Sequence, residues 1–204
     1  MANGSIPRRW MWQQPIVLFA LALSANTTRA DTQVFKIEPS RTKVQFELRH
    51  FLGKVIGRFH DVSGTLRIDP DQPENSSVVA TCPTRTVDTA NATRDRHLRA
   101  ELFEAEKFPQ AAFRSRKVVR TASDKADVTG DLTLHAVTRP IILHLTLLGR
   151  EKNADGREIN RWRAISEKFS RRAFGLMFSR GVEAVSGIGD EITLTIECET
   201  RATD

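Results

Sequence analysis

The chain has 204 residues, 40% of them hydrophobic and 27% charged, with 31 basic against 25 acidic side chains and a formal net charge of +6. That composition supplies a sizeable core and excludes a disordered chain. The basic residues are spread along the sequence rather than interleaved with aromatics, which argues against a nucleic-acid partner.

The first 30 residues read as a targeting segment. Arg8 and Arg9 form a basic start, "PIVLFALALSA" (15–25) is an apolar run too short to span a bilayer, and Thr28-x-Ala30 is a small-residue cleavage site. The expectation is a secretory signal peptide (residues 1–30) cut before Asp31, followed by one domain (residues 31–204) in the periplasm. The Arg pair leaves secretion of an unfolded or a folded chain open. No cysteine follows the apolar run, so a lipid-anchored N-terminus is not expected. The segment carries three basic residues and no acid, which leaves about +3 on the remaining ~174 residues.

Period-two patterning follows. Val44, Phe46 and Leu48 share a face with His50, while Lys43, Gln45, Glu47 and Arg49 take the other. The same alternation pairs Leu66 with Ile68, Leu132 with Leu134, Ile141 with Leu143, Leu145 and Leu147, and Ile192 with Leu194, Ile196 and Cys198. Strands are predicted near 33–39, 42–50, 55–61, 64–70, 77–87, 110–121, 126–135, 140–151, 157–169 and 190–200. Short polar breaks at 123–127 and 135–140 mark hairpins, and Asp155-Gly156 suits a type I′ turn. Hairpin-linked strands with one wet face can close into a barrel, which removes open edges. The fold class expected is all-β: an antiparallel barrel of about eight strands, able to hold side chains or one small ligand. Cys82 and Cys198 are either bridged or two separate buried thiols; their spacing does not decide.

"ATRDRHLRAELF" (92–103) breaks the alternation. Leu98 and Leu102 lie four apart with Phe103 beside them, among charged residues, so a short helical insert is expected near 93–105. Thr93 could cap it, and Phe108-Pro109 closes it. Asp95 near the helix start can satisfy backbone N–H groups and hold Arg94. On a barrel, such an insert would cover one end.

Catalytic and metal signatures are weak. Asp95 and His97 face opposite sides of a helix, and no metal-ligand spacing or nucleophile elbow is visible. His135 and His144 flank "AVTRP" nearly symmetrically and could face each other. Both fall on polar strand faces with Thr133 and Thr146, which favours a solvated pair.

Taken in order, five stretches resemble the YceI-like family. "TKVQFELRH" (42–50) is similar to its opening strand. "GRFHDVSG" (57–64) carries Gly57, Phe59 and Gly64 of G-x-F-x-x-x-x-G. Residues 86–115 contain the RDxHL block and the Phe-Pro pair that leads into a strand. "GDLTLHAVTRP" (130–140) resembles G-x-L-T-x-x-G-V-T-[KR]-P with Ala136 in place of glycine, and "SRRAFG" (170–175) has Arg171, Phe174 and Gly175 of R-x-x-F-G. Other departures are Glu38 and Arg41-Thr42 for an early Asp and His-Ser, Ala90 for a glycine, and Ala173 for an aspartate.

The resemblance implies a lipocalin-like barrel with a long apolar tunnel. The tunnel would hold an isoprenoid quinone, a polyprenyl chain or a fatty-acid-like lipid, in a periplasmic binding protein with no catalytic cofactor. Phe46, Leu48, Phe59, Leu132, Leu134 and Phe174 are then core or lining residues, since a barrel has one inward face. Leu98 and Phe103 form the underside of the insert. Arg94, Asp95, His97 and His50 are expected at the mouth, around a lipid's polar end. Transient membrane contact and a homodimer stay open. The alternative is a stress-response module of the same fold, with a plugged barrel that recognises a small polar metabolite or a protein.

Overall fold

Alternating apolar side chains commit this chain to strands, and hairpins place most of those strands in sequence order. The computed structural model describes Met1, residues 31–51 and residues 53–203. The expected signal peptide therefore lies outside the described residues. Among the described residues eleven strands form: β1 (Gln33–Ile37), β2 (Lys43–His50), β3 (Gly53–Phe59), β4 (Ser63–Ile68), β5 (Ser77–Pro83), β6 (Gln110–Ala122), β7 (Lys125–Leu134), β8 (Val137–Lys152), β9 (Glu158–Ser166), β10 (Phe169–Ser170) and β11 (Ile188–Ala202).

They build an eight-stranded antiparallel barrel. The ring runs β1-β4-β5-β6-β7-β8-β9-β11 and closes where Phe35–Ile37 of β1 pair with Thr200–Ala202 of β11. Strand β2 continues the line of β1 along the same edge of β11, after a 3-10 turn at Pro39–Arg41, and β3 pairs with β2. Closure leaves few free edges, as the period-two pattern requires.

The two ends of the barrel differ. One end is packed solid by Phe35, Ile37 and Leu66, with Ile68, Val78 and Trp162 against them. Trp162 donates its indole N–H to Thr200 Oγ1 at 3.2 Å, so its polar atom is satisfied inside the wall. At the other end β5 leaves the wall at Pro83, and the edge of β3 away from β2 is met by an isolated bridge from Arg58 to Asp88. The helical insert occupies this side. It comprises α1 (Ala92–His97) and a π-turn over Leu98–Leu102, closed by Phe103 N–H to Leu98 O at 2.8 Å.

Glycine explains two of the recurrent motifs. A Cβ at Gly57 would collide with the ring of Phe46, and one at Gly130 would collide with Phe113. Each glycine lets an aromatic ring from the neighbouring strand lie flat across the backbone.

The structure corrects several local expectations. Asn91, not Thr93, caps the insert, accepting Arg94 N–H at 3.0 Å. The β7–β8 turn is only His135-Ala136, both in the left-handed region (φ 52° and 60°), so β8 starts at Val137 rather than near 140. Gly156 has φ 79° but Asp155 is not left-handed, so this loop is not type I′. Asn153 organises it instead, accepting from the N–H groups of Asp155 and Arg157. A second short helix, α2 (Arg180–Val185), was not anticipated.

Candidate binding site

A cavity of about 820 Å³ fills the barrel above the Trp162 floor. Its walls come from the inward faces read in the sequence: Val44, Phe46 and Leu48 of β2, Leu132 and Leu134 of β7, Ile141, Leu143 and Leu145 of β8, and Ile192, Leu194 and Ile196 of β11. Rings step from the wall to the insert. Phe46 lies 5.6 Å from Phe59, and Phe59 lies 5.4 Å from Phe103, centroid to centroid. Leu98, Leu102 and Phe103 are buried, so the apolar underside of the insert seals onto the barrel as its spacing predicts.

The polar lining is concentrated on the insert. Asn91, Thr93, Arg94, His97 and Glu101 all border the cavity, and all but Arg94 are exposed, so this face forms one lip of the mouth. Positions 94, 97 and 101 fall on one helical face. The other lip comes from Phe178 and Val182 at and before α2, with His50 at the end of β2.

A buried network anchors the polar lip. Asp95 is 5% exposed and accepts from both the N–H and the hydroxyl of Thr89. Arg94 donates from Nε to Thr89 Oγ1 at 2.7 Å and from Nη2 to Thr89 O at 2.8 Å. The expected direct hold of Asp95 on Arg94 is thus replaced by a relay: the Thr89 hydroxyl gives its proton to the carboxylate and its lone pair to the guanidinium. Arg99 adds a bond to Val87 O at 2.9 Å.

The second lip is pinned by Arg171, which is 1% exposed. Its guanidinium makes a bidentate pair with Glu183 of α2 at 2.7 and 2.8 Å. It also donates to the carbonyls of Leu176, Gly189 and Ile188. The Arg171 hydrogen bonds hold the Glu183 carboxyl down at about 2, and the Phe178 N–H adds to this. Every donor of a buried cation is thereby used, as burial requires.

Two thiols face the cavity. Cys82 and Cys198 are both free, and burial pushes each up to about 12. They stay neutral and behave as small apolar groups in the lining.

The structure brings together Phe46, Leu48, His50, Phe59, Arg94, His97, Leu98, Phe103, Leu132 and Leu134 around the cavity. Asp95 and Phe174 are not on its surface. Asp95 is turned into the Thr89 network, and Phe174 is fully buried behind Phe169, 5.5 Å away. His135 and His144 do not face each other. His135 Nε2 meets Glu104 Oε2 at 2.6 Å and ties the β7–β8 turn to the insert, whereas His144 pairs with Asp127 on the outer wall. Among the described residues, no group of three or more His, Cys, Asp or Glu side chains is placed to hold a metal. Sequence reasoning missed Arg171 and Glu183 as a pair. The available signal was that Glu183, twelve positions on, is the first acid after Arg171.

Comparison with known proteins agrees with this architecture. The model of the YceI-like domain matches residues 35–200. The protein YceI of Salmonella arizonae is 39% identical over 137 residues, covering 65% of this chain and 71% of its own. The crystal structure of a YceI protein from Campylobacter jejuni is 31% identical, with a TM-score of 0.65 over 74% of this chain and 87% of its own. A polyisoprenoid-binding domain from Saccharophagus degradans shares the fold, with a TM-score of 0.62 at 15% identity over 83% of this chain and 98% of its own.

Proposed function

Because this chain belongs to the YceI-like family, we propose that it is a periplasmic carrier that sequesters one long apolar lipid, an isoprenoid quinone, polyprenyl chain or fatty-acid-like molecule. The observation that carries the reading is the cavity itself: about 820 Å³, walled by aliphatic and aromatic side chains, with most of its charged and polar side chains at the mouth. The mechanism is burial rather than chemistry. Each methylene taken from water is worth about 0.8 kcal/mol, so a long chain has a strong preference for such a wall. Exchange with a membrane swaps one apolar surrounding for another, so the net free energy stays small while the passage through water is avoided. Arg94, His97 and His50 would fix the polar end. The Saccharophagus domain of the same fold is described as polyisoprenoid-binding, which favours the prenyl class. The alternative of a small polar metabolite calls for a plugged barrel, and the size and apolar lining of the cavity weigh against it. The N-terminal basic pair and short apolar run support the periplasm as the compartment.

The test is mass spectrometry of a solvent extract from freshly purified protein. About one apolar lipid per chain is expected. An extract with no lipid, or a purified protein carrying only a water-soluble metabolite, would defeat the proposal.

A further inference from the structure

The apolar lip is more exposed than a cavity edge needs to be. Phe51 (66%), Met177 (51%), Val182 (43%) and Val185 (74%) are exposed, and they lie on the β2–β3 hairpin tip and on the 177–185 segment, whose Phe178 and Val182 border the cavity. Phe51 sits at the tip of the β2–β3 hairpin, where its N–H donates to Gly187 O at 3.0 Å. A Cβ at Gly187 would come within 2.6 Å of the Phe51 ring, so ring and α2 exit are in contact. Val182 and Val185 lie three apart on α2 and share a face. Val182 is also part of the cavity lining, so the patch and the cavity are continuous. Exposed apolar side chains scattered singly need no account, but four at one opening do.

The charges around this patch leave a cationic excess. Glu183 is engaged by Arg171 and Arg172, Glu47 by Lys54, and Glu191 by Lys168. Asp190 accepts the Arg172 N–H. Arg49, whose Cβ lies beside Gly189, and Arg180 at the start of α2 are exposed and have no ion-pair partner among the described residues. An apolar tip flanked by unpaired cations suits a surface that is negative outside and apolar beneath.

We propose that Phe51, Met177, Val182 and Val185, flanked by Arg49 and Arg180, dock the open end of the barrel onto an anionic lipid bilayer. The lip would sit in the headgroup region with Val182 leading from the acyl chains into the cavity. The proposal builds on the carrier reading by supplying the route by which lipid enters.

The experiment uses residues 31–204, which contain every strand and both cores found among the described residues. Vesicles of phosphatidylglycerol and phosphatidylethanolamine are compared with phosphatidylcholine vesicles by flotation, at low and high salt. Phe51→Asn suits the left-handed backbone there (φ 49°), and Val185→Glu lies outside the cavity lining. The native protein should float with anionic vesicles, and salt should weaken this. Either substitution, or Arg180→Glu, should lower partitioning at least about fivefold, since one basic side chain near an anionic surface is worth about that factor. Thermal melting and lipid content after direct loading from detergent should not change. Equal partitioning onto both vesicle types, or variants that float like the native chain, would overturn the proposal. So would a dimer in solution that Val185→Glu dissociates while flotation persists. Failure to load lipid from detergent would instead count against the carrier reading, so the two outcomes are separable.

Discussion

Glu183→Gln isolates what the buried arginine contributes. In the native barrel the Arg171 guanidinium is 1% exposed and its bidentate partner Glu183 is 14% exposed. Losing one member of such a pair costs about 3–5 kcal/mol, because a buried cation is left without its counter-charge. Glutamine keeps the shape and accepts one of the bonds, so the lower end, about 3 kcal/mol, is expected. For a domain of this size that is a fall in Tm of roughly 6–12 °C. The effect also has a pH signature. Glu183 is held at about 2 against its ordinary 4.5, chiefly by the Arg171 hydrogen bonds. A depressed carboxylate contributes stability in full above 4.5 and loses it as pH falls toward 2. Melting by circular dichroism should therefore separate native and Glu183→Gln proteins widely at pH 7 and less at pH 2.5. A difference in Tm that is the same at both values, or a variant that melts within a degree of the native protein at pH 7, would refute this account of the rim.

Four further outcomes follow from named contacts. Ala136 occupies a left-handed turn position (φ 60°), where an L-residue costs about 1–2 kcal/mol and glycine is free, offset in part by glycine's backbone entropy. Ala136→Gly should thus raise the stability measured by urea unfolding by about 0.5–1 kcal/mol. Gly57→Ala sets a methyl group against the Phe46 ring, and overpacking of this kind should cost about 1–3 kcal/mol in the same assay. Leu98→Ala should cost about 2–5 kcal/mol as a buried truncation. Arg94→Ala and Thr89→Val, which share the Thr89 hydroxyl, should fall short of additivity by at least about 0.5 kcal/mol in a double-mutant cycle.

The barrel was legible because its determinants are local. The alternation in 43–50, 141–147 and 191–198 fixes which side chains face inward, and the cavity lining follows it except at Leu147, which lies beside a register shift in the β8–β9 pairing and is off the lining. The insert was legible for the same reason, since Leu98, Leu102 and Phe103 state its buried face. What escaped the sequence depends on distant partners. Thr89 binds both Arg94 and Asp95 across a turn whose left-handed Ala90 (φ 57°) gives no sign in the residue type. Arg171 stands in the sequence only as the arginine of R-x-x-F-G, and its partner Glu183 comes from α2, a helix too short to announce itself. His144 stands on the outer wall as the favoured solvated reading has it, whereas the two-residue β7–β8 turn sends His135 to Glu104 beside the insert.

The central claim is that the hollow, rather than the surface, holds the lipid. Ala164 is 7% exposed and lines the cavity, so Ala164→Trp places an indole in space that the native barrel leaves open. Lipid per chain, measured by mass spectrometry on native and Ala164→Trp proteins purified side by side, is the direct test. The account predicts about one lipid on the native protein and a small fraction of that on a variant that folds with an unchanged circular dichroism spectrum. A folded Ala164→Trp protein carrying its full lipid load would contradict it.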